Sequence, residues 1–225
     1  MEMINVSKEI EKTYYLKSGE DFNTFLRAIN LMPSFGIAKE YKEEHNDIYF
    51  ETEERFLENL DSTIRIRTYP NDKKQILSIV CKNNGEKREF VMDMKFGDSI
   101  NDNEDYLFFL EDKLQDIYTH RFDFDVIRIL RGLRKFLCIE TDRTVYEVIN
   151  NQGFKADVCF DRVKYVSKRN KNYDNILEVK LKCWNTEDNM YFFNKFTKEL
   201  EFRAILIPMN EKKLQAGLRS FKMEN

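Results

Sequence analysis

Basic side chains alternate with apolar ones in several short stretches, a spacing that gathers cations on one face of a strand. The clearest stretch is Thr63-Ile64-Arg65-Ile66-Arg67-Thr68. Successive side chains of a strand point to opposite faces of the sheet, so we expect Arg65 and Arg67 together on one face. Arginine binds phosphate oxygens through two parallel hydrogen bonds. The face that carries Arg65 and Arg67 therefore has the chemistry to bind a polyanion.

Carboxylates fall on strand faces of the same kind. Glu9, Glu11 and Thr13 share one face of the first predicted strand, and Glu178 shares a face with Lys180 near the end of the sheet. Carboxylate oxygens are the ligands that Mg²⁺ and Mn²⁺ prefer. The mixture of cations and carboxylates thus suits phosphate together with a divalent metal ion.

Four further strands carry a basic residue within an alternating pattern. These residues are Lys82 in 76–82, Lys87 in 87–93, Arg143 in 139–145 and Lys155 in 154–161. Strand 87–93 is ambiguous, because Arg88 points to the other face. A solvated outer face of an antiparallel sheet gives the same alternation. A barrel with a polar lumen, covered outside by amphipathic helices, gives it too, and periodicity leaves both explanations open.

The predicted elements form one α+β domain over residues 1–225, since no repeat or linker stands out. A helix begins after Ser18 and ends before Pro33, and helical spacing recurs from Leu107 to Ile117 and from Val126 to Arg134. Asn185-Thr186-Glu187 predicts the cap of another helix, and a last helix begins near residue 210. Strands are predicted at 7–16, 36–42, 46–52, 62–69, 75–82, 86–94, 136–148, 154–166, 175–183 and 202–207.

Composition excludes several classes of function. The net charge of −3 argues against a nucleic-acid partner, which usually requires a basic domain. The four cysteines form no Cys-x-x-Cys pair, and the two histidines, His45 and His120, are far apart, so neither a zinc site nor a histidine-based triad is expected. The start of the chain shows no signal peptide, and no apolar run reaches the roughly 20 residues of a membrane span. We therefore expect a cytoplasmic location.

Short motifs recur along the chain in an order that resembles the triphosphate tunnel metalloenzyme superfamily, also called the CYTH-like fold. Glu9-Ile10-Glu11-Lys12-Thr13 resembles the opening Glu-x-Glu-x-Lys of that family. The other matching segments are Ile48-Tyr49-Phe50-Glu51-Thr52, Ile64-Arg65-Ile66-Arg67, Lys82, Lys87-Arg88-Glu89, Phe160-Asp161-Arg162 and Leu177-Glu178-Val179. The resemblance implies a closed antiparallel β-barrel with flanking helices.

Within the superfamily, the chain resembles most the polyphosphate polymerase branch, the catalytic domain of vacuolar transporter chaperone (VTC) complexes. Three segments carry this resemblance: Arg65-Ile66-Arg67-Thr68-Tyr69, Thr141-Asp142-Arg143-Thr144-Val145-Tyr146 and Leu177-Glu178-Val179-Lys180. It implies phosphoryl transfer from ATP, with triphosphate or polyphosphate held in a basic tunnel and Mn²⁺ or Mg²⁺ as cofactor.

The resemblance also implies roles for individual residues. Arg65, Arg67, Lys82 and Arg143 would act on the reacting phosphates. Lys12, Lys87, Lys155 and Lys180 would add further substrate contacts. Glu178 would be the principal metal ligand, assisted by Glu9 or Glu11.

The chain departs from the family pattern at two positions. Thr13 stands where the family has a phosphate-binding lysine, and the adjacent Lys12 points to the other face unless the strand is bulged. Lys180 stands where the CYTH phosphatases and cyclases have a second glutamate, which favours the polymerase branch. Two alternatives remain beside the polymerase: an inorganic triphosphatase and a non-catalytic polyphosphate-binding module.

Overall fold

A computed structural model describes residues 3–5, 10–83, 86–118, 126–166, 171–182, 186–204, 206–209 and 213–222. The description of side chains leaves out residues 3–5, 19–21, 82–83, 86–87 and 219–222. The strands are β1 (Met3–Asn5), β2 (Glu11–Leu16), β3 (Gly36–Glu51), β4 (Ser62–Tyr69), β5 (Lys74–Asn83), β6 (Glu86–Met94), β7 (Arg134–Ile149), β8 (Lys155–Val166), β9 (Lys171–Leu181) and β10 (Ile207–Pro208). The helices are α1 (Gly19–Asn30), α2 (Phe56–Asn59), α3 (Glu104–Ile117), α4 (Val126–Leu130), α5 (Glu187–Arg203) and α6 (Lys213–Lys222).

Most of the predicted elements are confirmed within a few residues of their predicted ends. Helix α5 begins at the predicted cap, where the Thr186 side chain accepts a hydrogen bond from the Asn189 backbone N–H. Residues 6–9, in the first predicted strand, and the turn at 84–85 lie outside the described residues.

Three elements differ from the prediction. The predicted strands 36–42 and 46–52 form the single strand β3, because the chain stays extended through 43–45, where His45 is buried. Helix α4 ends at Leu130, since the chain turns at 131–132 and enters β7 at Arg134. The strand predicted at 202–207 is reduced to β10, because α5 continues to Arg203.

The ten strands lie in the order β1-β6-β5-β4-β3-β7-β8-β9-β2-β10, and every pairing whose register is given for the described residues is antiparallel. In the described part of the chain, no hydrogen-bonded pairing joins β1 to β10. The end strand β10 has two residues and offers few backbone groups for further pairing. The sheet is therefore not closed by hydrogen bonds into the predicted barrel.

The chain groups into two compact units. Unit 1 comprises Met1–Ser7, His45–Glu140 and Val166–Asn170; unit 2 comprises Lys8–Glu44, Thr141–Tyr165 and Lys171–Asn225. Strands β3 and β7 each contribute residues to both units. The interpretation of residues 1–225 as a single domain stays a prediction.

The core of unit 1 lies between one face of its strands and helix α3. Ile64 and Ile66 of β4 and Leu77 and Ile79 of β5 are buried in this core, as the alternation predicted. Leu107, Leu110 and Leu114 of α3 pack into the same cluster. Full burial of each such side chain contributes about 1.5–3 kcal/mol, so this face anchors the strands and leaves Arg65 and Arg67 on the other.

The core of unit 2 is built in the same way with two helices. Leu177 and Val179 of β9 pack in one cluster with Phe25 of α1 and with Phe193 and Phe196 of α5. Residues of opposite parity, including Glu178, are held on the other face of the sheet.

Each unit holds a buried cysteine. Cys81 lies in the core of unit 1, and burial raises the pKa of its thiol to about 11. Cys159 lies on β8 in unit 2, where burial raises the pKa of its thiol to about 12. Cys183 lies outside the described residues.

The helices of the described residues are short or carry many polar side chains. None of them combines the length and the apolar character needed to cross a bilayer.

Candidate functional site

The first charged group, called here the Asp47 cluster, consists of Asp47, Arg65, Arg67, Ser78 and Glu89. Antiparallel pairing brings these residues together: Asp47 lies opposite Arg67, and Arg65 lies opposite Ser78. All five occupy the strand faces that point away from the core of unit 1.

Asp47 holds Arg67 through a two-point ion pair. The Arg67 Nε donates to Asp47 Oδ1 and its Nη2 donates to Oδ2, each at 2.7 Å. Burial alone would raise the pKa of Asp47, but the hydrogen bonds and charge of Arg67, together with Arg65, lower it to about 2. The carboxylate is therefore ionised at every ordinary pH, and the guanidinium is fixed in orientation.

Arg65 is held by three neighbours in the same cluster. It donates from Nη2 to Glu89 Oε1 at 3.0 Å and from Nε to Ser78 Oγ at 3.3 Å, and its Nη1 lies 3.6 Å from Asp47 Oδ2. Its side chain is 22% exposed, whereas that of Asp47 is 5% exposed. A fully solvated outer face does not bury charged groups to this extent, so the structure favours the covered polar face over the solvated one.

The second charged group, called here the Glu178 cluster, consists of Glu11, Arg143, Asp161, Glu178, Lys180 and Lys213. Five of these residues come from β2, β7, β8 and β9, and Lys213 is the first residue of α6. Lys180 lies opposite Glu11, and Glu178 lies opposite Thr13. All six belong to unit 2.

Arg143 is the centre of this cluster and is bound by two carboxylates. Its Nε and Nη2 donate to the two oxygens of Asp161, each at 2.7 Å, and Nη2 also donates to Glu178 Oε2 at 2.6 Å. Asp161 is 0% exposed. The Arg143–Asp161 pair thus repeats, in unit 2, the two-point geometry of Arg67 and Asp47.

Two lysines complete the cluster. The Lys213 ammonium donates to Asp161 Oδ2 and lies 3.1 Å from Glu178 Oε1. The Lys180 ammonium lies 3.4 Å from Glu178 Oε2 and 3.8 Å from Glu11 Oε2. Glu178 therefore contacts all three cations of the cluster, and Lys180 bridges the two predicted metal ligands Glu11 and Glu178.

The charges of the cluster fix its protonation states. Burial would raise the pKa of Glu178, but Lys213, Lys180 and Arg143 lower it well below its ordinary value. Lys213 and Arg143 likewise hold the pKa of Asp161 below its ordinary value against the effect of burial. Both carboxylates are ionised, as ligands of a metal ion must be.

The carboxylates of the Glu178 cluster suit a hard divalent cation in their chemistry. Among the described residues, no group of three or more histidine, cysteine, aspartate or glutamate side chains is arranged to hold a metal ion. Asp161 and Glu178 nevertheless converge on one positive group, the Lys213 ammonium. The two carboxylates are thus placed to share a cation, and their oxygen donors fit Mg²⁺ or Mn²⁺.

The remaining predicted site residues lie apart from these two clusters or outside the description. Lys12 lies on the opposite face of β2 from Glu11, with its ammonium 3.2 Å from Glu201, which also accepts a hydrogen bond from Tyr14. Lys155 is half-exposed and pairs with Glu147 at 2.9 Å. Glu9 and the side chains of Lys82 and Lys87 lie outside the described residues.

Sequence reasoning missed five residues that the structure places in the clusters: Asp47, Ser78, Glu89, Asp161 and Lys213. Asp47 and Tyr49 are two residues apart and share one face of β3. Pairing of β3 with β4 places them opposite Arg67 and Arg65, so the alternation of the strand could have indicated this partner. Asp161 lies in the Phe160-Asp161-Arg162 segment, but its role as the partner of Arg143 depends on pairing between distant strands. Lys213 is far from the strands in sequence, and no local signal links it to Glu178.

The motif Ile48-Tyr49-Phe50-Glu51-Thr52 has a structural role. The Glu51 carboxylate accepts hydrogen bonds from the backbone N–H groups of Thr52, Leu57 and Glu58, at 2.8 to 2.9 Å. These bonds satisfy donors at the start of α2, so Glu51 stabilises the connection between β3 and β4.

Comparison with known proteins identifies a family and a shared fold. The model of the family described as "CYTH domain" matches residues 7–213. No curated protein sequence matches the chain. Among solved structures, HpAC1 from Hippeastrum, which has a dominant triphosphatase activity, superimposes with a TM-score of 0.60 at 16% identity, covering 94% of this chain and 96% of that one.

Two microbial structures show the same fold. A protein of Bacillus halodurans described as an adenylate cyclase superimposes with a TM-score of 0.53 at 19% identity, covering 92% of this chain and 96% of that one. The PH1819 protein of Pyrococcus horikoshii gives a TM-score of 0.53 at 16% identity, covering 94% of this chain and 99% of that one. The resemblance to the polyphosphate polymerase branch stays a prediction.

Proposed function

The chain belongs to the CYTH domain family, and on this premise we propose that it binds a triphosphate and catalyses metal-dependent phosphoryl transfer, with water as the acceptor. The observation that carries the proposal is the surrounding of Glu178, whose carboxylate contacts Arg143, Lys180 and Lys213 at 2.6, 3.4 and 3.1 Å. A buried face that holds both carboxylates and several cations has the groups needed by a phosphate chain and a metal ion.

Phosphoryl transfer depends on positioning and on stabilisation of charge rather than on a covalent nucleophile. Arg143 supplies a guanidinium whose orientation is already fixed by Asp161, and Lys180 and Lys213 supply ammonium groups. These three cations are the donors that we propose for phosphate oxygens. No serine, cysteine or histidine nucleophile is required.

Asp161 and Glu178, which converge on the Lys213 ammonium, are the residues that would hold the divalent ion. Enzymes of this family depend on a metal ion, usually Mg²⁺ or Mn²⁺. The ion would neutralise charge on the phosphates and help to polarise the reacting bond. When the substrate binds, the cations exchange their ion pairs with carboxylate oxygens for ion pairs with phosphate oxygens. No cation is therefore left without a partner.

Arg65 and Arg67 are proposed to bind phosphates as well. The orientation of each guanidinium is set by Asp47, Ser78 or Glu89, which limits the entropy lost when a ligand binds. That Arg65, Arg67, Lys82 and Arg143 line one lumen of a closed barrel stays a prediction, as does the contribution of Lys12, Lys87 and Lys155.

A polyphosphate polymerase that uses ATP is the second candidate. One observation favours it: Lys180, which stands where CYTH phosphatases have a second glutamate, lies between Glu11 and Glu178. A lysine in this place reduces the carboxylate content that would serve a metal-activated water. It also adds a contact for a phosphate chain acting as acceptor.

Turnover distinguishes these functions. We expect release of orthophosphate from tripolyphosphate in the presence of Mn²⁺ or Mg²⁺, measured colorimetrically, and its loss in Glu178→Gln. Asp142→Asn is the matched control, because Asp142 lies on β7 beside Arg143 but is exposed on the opposite face. If gel electrophoresis shows long phosphate chains made from ATP, the polymerase and not the triphosphatase is the function. Tight binding of tripolyphosphate without turnover would leave a binding module.

A further inference from the structure

Lys213 differs from the other cations of the Glu178 cluster in where it comes from. Arg143 and Lys180 lie within the strands β7 and β9, whereas Lys213 lies on helix α6. Its side chain is 14% exposed, and its ammonium contacts both Asp161 and Glu178. A cation carried by a separate helix therefore lies between the two most buried carboxylates of the cluster.

The cluster is balanced in charge when Lys213 is in place. Its three carboxylates are Glu11, Asp161 and Glu178, and its three cations are Arg143, Lys180 and Lys213. A divalent ion bound by Asp161 and Glu178 would add two positive charges to a cluster whose described side chains are already balanced in charge and largely shielded from water. Like charges at close range in such surroundings repel strongly, so one resident cation has to withdraw.

Lys213 is the cation best able to withdraw. Arg143 is held by a two-point ion pair to Asp161 and a further bond to Glu178. Lys213 presents a single ammonium on a flexible four-carbon stem carried by helix α6. Its withdrawal breaks two ion pairs without disturbing a strand.

We propose that Lys213 is a tethered cation that occupies the place of the divalent ion at Asp161 and Glu178, so that docking of Lys213 and binding of the metal exclude each other. The inference rests on the metal dependence in the proposed function. By linkage, whatever holds Lys213 in place weakens metal binding, and metal binding loosens the start of α6 by the same free energy. The C-terminal helix thereby senses whether the site is loaded.

The test is a titration of the metal-free protein with Mn²⁺, followed by the electron paramagnetic resonance signal of the free ion, with no substrate present. We expect Lys213→Met to bind Mn²⁺ about tenfold or more tightly than the unmodified chain, because the variant leaves a buried carboxylate without its partner. Lys198→Met is the matched control, since Lys198 is exposed on α5 and outside the cluster. It should leave the affinity unchanged.

Hydrogen exchange of the unmodified protein gives a second readout that needs no variant. Mn²⁺ should speed amide exchange at the start of α6, and it should have little effect on α5. An unchanged or weaker Mn²⁺ affinity in Lys213→Met, or an unchanged α6 on loading, would overturn the inference and leave the proposed function standing. If neither protein binds Mn²⁺, both the inference and the metal dependence of the proposed function fail.

Discussion

The Asp47 cluster of unit 1 and the Glu178 cluster of unit 2 share a two-point ion pair between aspartate and arginine. They differ in the charged groups around that pair. In each, an aspartate buried to within a few per cent holds an arginine by two hydrogen bonds of 2.7 Å. In the Asp47 cluster every member comes from a strand, and two cations face two carboxylates. In the Glu178 cluster a second carboxylate lies beside the pair, and a helix supplies a third cation.

The two clusters differ in how firmly each carboxylate is committed to one cation. Both oxygens of Asp47 accept hydrogen bonds from Arg67, so the orientation of the Arg67 guanidinium is fixed. Glu178 divides its contacts among Arg143, Lys180 and Lys213, and each partner can leave without stranding the others. The Asp47 cluster therefore holds its guanidinium in one orientation, whereas the cations around Glu178 can be exchanged for others.

The largest effect is expected from removal of the more deeply buried aspartate. Asp161→Asn should lower the free energy of unfolding by about 3–5 kcal/mol, because it leaves Arg143 and Lys213 as buried charges without their main partner. Urea unfolding followed by circular dichroism measures this value. Asp47→Asn should cost less, because Arg65 keeps Glu89 and only Arg67 loses its partner. An equal loss of unfolding free energy in the two variants would contradict the difference proposed between the two clusters.

Glu178→Gln is expected to reduce turnover of tripolyphosphate by about 100-fold or more, because it removes a metal ligand and a stabilising charge at once. Steady-state phosphate release with saturating Mn²⁺ measures the loss. Arg67→Ala should act mainly on the affinity for substrate, with a much smaller change in kcat. A comparable fall in kcat for Arg67→Ala would place chemistry in both clusters.

The Asp47 pair predicts a stability that depends on acidity. The pKa of Asp47 is about 2 in the folded chain and 3.8 for the free side chain, so its contribution is complete above about pH 4 and is lost as pH falls towards 2. The full contribution is roughly 2 kcal/mol. Unfolding free energies measured from pH 5 to 2 should fall less steeply in Asp47→Asn than in the unmodified chain. Parallel curves would show that this pair carries no such linkage.

The smallest effect concerns binding by unit 1. Arg67→Ala should weaken tripolyphosphate by about tenfold, since one charge-assisted contact contributes roughly 1.5–3 kcal/mol. Orthophosphate should bind weakly both before and after, because it meets fewer cations. Calorimetric titration at one salt concentration measures both ligands, with the exposed Arg131→Ala as control. An equal loss for both ligands would contradict a phosphate chain at Arg67.

The sequence predicted the faces of the strands better than their partners. Alternation placed Arg65 and Arg67 opposite the core, because side-chain parity is a local property of an extended chain. Asp47 was missed as their partner because its ion pair with Arg67 depends on the pairing of β3 with β4, and the break predicted at 43–45 is absent because the strand continues through these polar residues. Lys213 and the open ends of the sheet depend on contacts between distant segments, which spacing does not encode.

Cys81 in unit 1 and Cys159 in unit 2 can each report when the unit around it opens. Thiolates, rather than thiols, react with alkylating reagents, and burial suppresses both thiolates while each unit is closed. A pulse of iodoacetamide followed by mass spectrometry would therefore time the opening of the two units separately within one sample. Among the three cysteines in the described part of the chain, the half-buried Cys138 should be labelled first.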